Sequence, residues 1–199
     1  MNDPRNGIGS GFEVRPRYVC CHPNPKGTGT SVKFELHPAH EYVEGSVFAT
    51  FANQKTVGSY GEGEMIPSTF DWERSVTIRL NIDEVAELLE VFRGYRERLG
   101  DGKGLFHSSS SGNTVITLEH RLEPAPGYLF GVSRKGPDGD LRRASILLTM
   151  KEVIVLSESL ASSMFYMAFG IPKVIRRPER DSAKGVVRES RVKEAKEVA

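Results

Sequence analysis

The chain has 199 residues, with 27 Lys plus Arg against 26 Asp plus Glu and 38% hydrophobic side chains. That composition excludes wholesale disorder, which pairs low hydrophobicity with high net charge, and the length allows one packed domain or two small ones. The near-neutral total hides an asymmetry: residues 173–199 hold nine Lys or Arg against five Asp or Glu, whereas the rest holds 18 against 21.

In chain order, residues 1–19 are rich in glycine and poor in apolar side chains, and an arm is expected there. Met1-Asn2-Asp3-Pro4-Arg5 has no apolar run behind a basic start, so no signal peptide is expected. Cys20 and Cys21 are too few for a disulfide framework, which points to a reducing compartment. Lys26-Gly27-Thr28-Gly29-Thr30 lacks the spacing of a phosphate-cradling loop and reads as a flexible approach to the first strand. The folded domain is expected over 20–172 and a charged tail over 173–199.

Within the domain the chain repeats itself, over about 31–99 and again over about 103–170. Ser31 to His37 alternates, with Val32, Phe34 and Leu36 on one face, as a half-buried strand does; Thr114 to His120 does the same with Ile116 and Leu118. A second strand follows each, Gly45 to Phe51 and Gly127 to Ser133, with Phe48 aligned to Phe130. The first copy then carries an insertion, Thr56 to Thr69, with Gly58, Gly61 and Gly63 and room for an extra hairpin strand. The last strands, Ser75 to Leu80 and Arg143 to Leu148, each run straight into a helix start.

Those starts are capping boxes, Asn81-Ile-Asp-Glu84 and Thr149-Met-Lys-Glu152, in which the first side chain caps the fourth residue's amide and the Glu reaches back. The first helix is amphipathic, with Val85, Leu88, Leu89 and Phe92 on one stripe, and is expected to stop near Gly100. The second, to about Phe169, is apolar on nearly every side, which suggests burial and a subunit interface. Ser157, Glu158, Ser159, Ser162 and Ser163 interrupt it, arguing against a membrane span. The fold class is α+β: two antiparallel sheet-plus-helix units related by a pseudo-twofold axis.

Phe70-Asp71-Trp72-Glu73-Arg74, a strand passing into a helix over Val76 to Leu89, Leu105-Phe106-His107, and the apolar helix from Met150 to Gly170 together resemble the Whirly family. The resemblance covers about residues 29–172. It implies a doubled sheet-and-helix unit, assembly as a homotetramer through the helices, and binding of single-stranded DNA along and between the sheets; a related group with this fold binds and anneals guide RNA. The family's Lys-Gly-Lys-Ala-Ala-Leu segment corresponds here to Gly29 to Phe34, which keeps Lys33.

Single-strand binding needs cations that follow phosphates and flat side chains on which bases stack. Candidates for such a nucleic-acid site are Lys33, Lys55, Arg74, Arg79, Arg134, Lys135, Arg142 and Arg143, interleaved with Phe48, Phe51, Trp72, Phe106 and Phe130. Strand alternation must send some of these aromatics inward. Trp72 has two readings, a stacking platform or a wedge closing the gap between sheet and helix, and the wedge is favoured. Because the domain is not globally basic, any such site must rest on local placement of charge.

No enzyme is expected, since no G-x-S-x-G or H-E-x-x-H is present and His22, His37, His40, His107 and His120 are scattered. No cofactor and no metal are expected; Cys20-Cys21-His22 has no second ligand pair. The expected partner is single-stranded nucleic acid, DNA before RNA, with little sequence preference. RNA binding or annealing, and a protein-interaction scaffold without nucleic acid, stand as alternatives. No membrane partner is expected, and the expected location is intracellular: cytoplasm or nucleoid, or an organelle if a presequence was removed.

Overall fold

The computed structural model describes residues 15–171, apart from positions 62, 111 and 124. The expected tail and most of the expected arm lie outside the described residues. The arm expectation is corrected at its end, because a strand already begins at Arg17.

Two antiparallel sheets carry the fold. The first contains β1 (Arg17–His22), β2 (Thr30–His37), β3 (Ser46–Thr56) and β7 (Val76–Leu80) in that order, with β6 (Thr69–Phe70) also pairing β3. The second contains β8 (Leu105–Ser109), β9 (Gly112–Arg121), β10 (Gly127–Lys135) and β11 (Leu141–Leu148), in the order β11-β10-β9-β8. The insertion does form a hairpin, β4 (Ser59–Gly61) against β5 (Glu64–Ile66). The strands β1 and β8 that open the two sheets were not foreseen as partners of the repeat.

Each sheet ends in a helix, α1 (Ile82–Phe92) and α2 (Met150–Phe169), and both capping boxes form with their reciprocal hydrogen bonds. α1 is shorter than expected. Gly94, at φ +75°, takes the left-handed conformation that ends a helix, and the chain reaches Gly100 through a separate 3-10 turn, Leu99–Gly102. α2 is also not buried all round: Val153, Leu156, Leu160 and Met167 face the core, while Ile154, Val155, Phe165 and Phe169 are exposed. Its length and apolarity meet the criterion for a membrane span, a test that core helices also pass.

The strand register makes the repeat exact in space. His22, Thr30 and Asn53 stand side by side across β1, β2 and β3, and His107, Thr114 and Arg134 stand side by side across β8, β9 and β10. Counting back from Asn53 and Arg134, Phe48 corresponds to Leu129 rather than to Phe130. The expected alignment was one residue out, and a slip of one residue moves a side chain to the opposite face. Phe130 therefore lies in the core, stacked on Phe34 at 5.8 Å between centroids and tilted on Phe51 at 4.9 Å. These three rings tie the inward faces of the two sheets together, with Val32, Ile78, Ile116 and Ile146 around them in one cluster.

The approach to β2 is clasped rather than flexible. Asn24 Oδ1 accepts from the Lys26 and Thr28 amides, and the buried Gln54 side chain accepts from the Asn24 and Gly29 amides while donating to the Asn24 and Thr56 carbonyls. An amide side chain suits this position because it supplies donors and acceptors at once.

Candidate nucleic-acid interface

Alternation on the strands leaves each sheet with a polar outward face. On the first sheet Lys33, Thr50 and Thr77 share one cross-strand row, and the two threonine hydroxyls bond each other at 3.1 Å. The related row on the second sheet is Thr117, Gly131 and Ser145. Apart from Lys33, the side chains in these rows are small, so they rise little above the backbone.

The sheets meet where β11 packs against β2, β3 and β7, and a polar residue from each sheet reaches across. Asn53 Nδ2 donates to the Arg143 carbonyl at 3.0 Å. Its counterpart Arg134 donates through Nε to Thr114 Oγ1 at 3.0 Å and through Nη2 to the Thr77 carbonyl. Burial, and then the charge of neighbouring Arg142, depress the Arg134 guanidinium from its ordinary value.

Along this seam opens a cleft of about 830 Å³, lined by Asn53, Asp71, Arg74, Asp140, Arg142 and Arg143 among others. Arg74 comes from the loop before β7 in the first repeat, and Arg142 and Arg143 from β11 in the second. Two smaller hollows adjoin it. One of about 320 Å³ shares Asn53 and Arg143 and leads past Thr28 and Thr30 onto the outward face at Thr117, Ser133 and Ser145. The other, of about 240 Å³, shares Asp140 and Arg142 and lies beside Arg134. The carboxylates at the seam have local partners: Asp71 Oδ1 accepts from the Arg74 amide, and Asp140 pairs with Arg142.

The structure brings together only part of the expected set. Arg74, Arg142 and Arg143 share the cleft, and Arg134 adjoins it. Lys33, Phe48 and Arg79 stand on the outward face of the first sheet, where Lys33 pairs with Glu35 at 3.3 Å, His37 lies 4.3 Å from the Phe48 ring, and Arg79 donates to the Glu44 carbonyl. Phe106, 64% exposed, and Lys135 belong to the outward face of the second sheet, and Lys55 is exposed near the end of β3.

Phe51 and Phe130 are corrections: both are fully enclosed in the core and offer no surface to a base. Trp72 stands on the loop between β6 and β7 and is 41% exposed, so it is not enclosed in the core. Asn53, Thr28 and the buried Thr30 also line these hollows, outside the expected set. The signal for Asn53 was its repeat equivalence to Arg134, which becomes visible only once the register is known. Among the described residues no group of three His, Cys, Asp or Glu is placed to hold a metal.

No protein-family model and no curated protein matches the chain. Solved structures do. The chain is similar to WHY1 from Arabidopsis thaliana, with 17% identity, 78% of this chain and 89% of that one covered, and a TM-score of 0.58. It is similar to the plant transcriptional regulator PBF-2, at 17% identity over 78% of this chain and 91% of that one, TM-score 0.58. WHY3 from Arabidopsis thaliana matches at 19% identity over 76% of this chain and 90% of that one, TM-score 0.54. At these identities the likeness shows the fold: the α+β arrangement of two sheet-and-helix units is the Whirly one.

Proposed function

We propose that this protein binds single-stranded nucleic acid, DNA in preference to RNA, through phosphate contacts and base stacking on the sheet surfaces and with little sequence preference. The observation that carries the reading is the convergence of Arg74 with Arg142 and Arg143, from opposite repeats, on one cleft that opens onto a polar sheet face. A strand lying there would have cations along its backbone, with Phe106 and Trp72 among the exposed rings available to unpaired bases. The Whirly fold supports the same ligand class. The exposed apolar side chains of α2, Ile154, Val155, Phe165 and Phe169, support assembly into a homo-oligomer, a tetramer by analogy of fold.

The test is fluorescence anisotropy of labelled single-stranded DNA, duplex DNA and single-stranded RNA of one sequence at several salt concentrations. The expected result is salt-sensitive binding with single-stranded DNA tightest, weakened by Arg142→Glu with Arg143→Glu in a still-folded protein. Tighter binding of the RNA would move the assignment to RNA. Absence of binding to all three at low salt would overturn it in favour of a scaffold.

A further inference from the structure

Arg134 and Arg142 are directly opposed in the register of β10 and β11 and point to the same side of the sheet. Like charges so placed repel each other, and the arrangement gains when something negative comes between them. Arg134 is anchored by Thr114 and the Thr77 carbonyl, so its guanidinium is held in place before any ligand arrives. Arg142 Nε instead bonds Asp140 Oδ2 at 3.0 Å. Asp140 belongs to the turn between the two strands, which the Gly136 amide closes on the Asp140 carbonyl and the Gly139 amide on the Gly136 carbonyl.

Asp140 borders both the main cleft and the hollow beside Arg134, with Asp138 as the second carboxylate of that hollow. A carboxylate presents to a guanidinium the same acceptor geometry as a phosphate oxygen. The Arg142–Asp140 pair is half exposed at both ends, and pairs of that kind are weak enough to exchange.

We infer that Asp140 is an internal stand-in for a backbone phosphate: it occupies Arg142 in the unbound protein, and a bound strand displaces it so that Arg134 and Arg142 grip one phosphodiester between them. The inference rests on the proposed strand binding and adds to it a defined phosphate position and a residue that limits affinity. Asp140 thus competes with the ligand, which makes its removal a gain.

The test uses fluorescein-labelled oligo-dT and anisotropy titrations over a salt series, with wild type, Asp140→Asn, Arg142→Gln and the double variant, each checked for an unchanged thermal melt. Asp140→Asn is expected to tighten binding by roughly 2- to 5-fold, the range of an exposed ion pair. Arg142→Gln is expected to weaken binding and to reduce the salt slope by about 0.7, the loss of one single-strand phosphate contact. The double variant should match Arg142→Gln alone, because Asp140 acts through that guanidinium. Wild-type binding with an Asp140→Asn variant that is neutral, or whose gain persists without Arg142, overturns the inference while leaving strand binding intact. Failure of the wild type to bind oligo-dT at any salt overturns both.

Discussion

His22 on β1 and Glu152 at the start of α2 stand 130 residues apart in sequence and 2.8 Å apart in space, Nε2 to Oε1. The relation is repeated: His107 on β8 pairs with Glu84, the capping glutamate of α1. Each helix start is therefore held by the opening strand of the other repeat, so the two units interlock.

The capping residues should carry measurable stability. Thr149→Ala and Asn81→Ala are each expected to cost about 1 kcal/mol in urea unfolding, the usual effect of losing a side-chain N-cap. A neutral result at either site would mean that the bond from the cap residue's backbone amide to the capping Glu, together with the histidine contact, holds the helix start without the side-chain cap.

The same contact predicts a pH dependence. Burial works against the Glu152 carboxylate, but the Thr149 backbone and hydroxyl donors and His22 outweigh it, so the group titrates below its ordinary value of 4.5. A carboxyl depressed in the folded state binds fewer protons there than in the unfolded chain. Its contribution is then full above the ordinary value and is lost as pH falls through the folded one. Urea midpoints followed from about pH 6 to about pH 3 should fall, and Glu152→Gln should flatten that fall.

The inward position of Phe130 can be tested against the outward position of Phe106. Phe130→Ala should cost about 3 to 5 kcal/mol, since it empties the ring that joins Phe34 and Phe51 across the sheets. Phe106→Ala should change stability by less than about 0.5 kcal/mol. Equal losses in chemical denaturation would contradict the assigned register.

Gly45 marks the place where the chain entering β3 touches the end of α2. Its amide donates to the Met167 carbonyl at 3.2 Å, and a Cβ there would lie 2.3 Å from Met167 Cα. Because backbone rather than a flexible side chain fills that space, Gly45→Ala should destabilise by roughly 1 to 3 kcal/mol. An unchanged melting temperature would show that the end of α2 can move away.

Adjacent cysteines should differ in reactivity. Burial, reinforced by the charge of Glu152, pushes the Cys20 thiol up to about 12, whereas Cys21 is exposed beside Ser31. Iodoacetamide on the folded protein should modify Cys21 alone, as read by peptide mass spectrometry, and both after unfolding. Modification of Cys20 in the native protein would place it at the surface.

Patterns between near neighbours in sequence determined a good deal. Alternation at every second position marked β2, β9 and the last strands, and Asn81 with Glu84 and Thr149 with Glu152 marked both helix starts, because the hydrogen bonds that form there span only three residues. The doubling of sheet and helix followed from finding those signals twice. Only the tertiary structure decided which rings are buried: Phe48 and Phe51 both fit a strand, Phe130 differed from its assumed partner by one position, and the face each takes depends on a register set by long-range pairing. The pairing of His22 with Glu152, the crossing of Asn53 and Arg134, and the meeting of Arg74 with Arg142 and Arg143 were decided there too. These residues come from opposite repeats, and their proximity follows from how two sheets close over a common core, a relation that no local pattern contains.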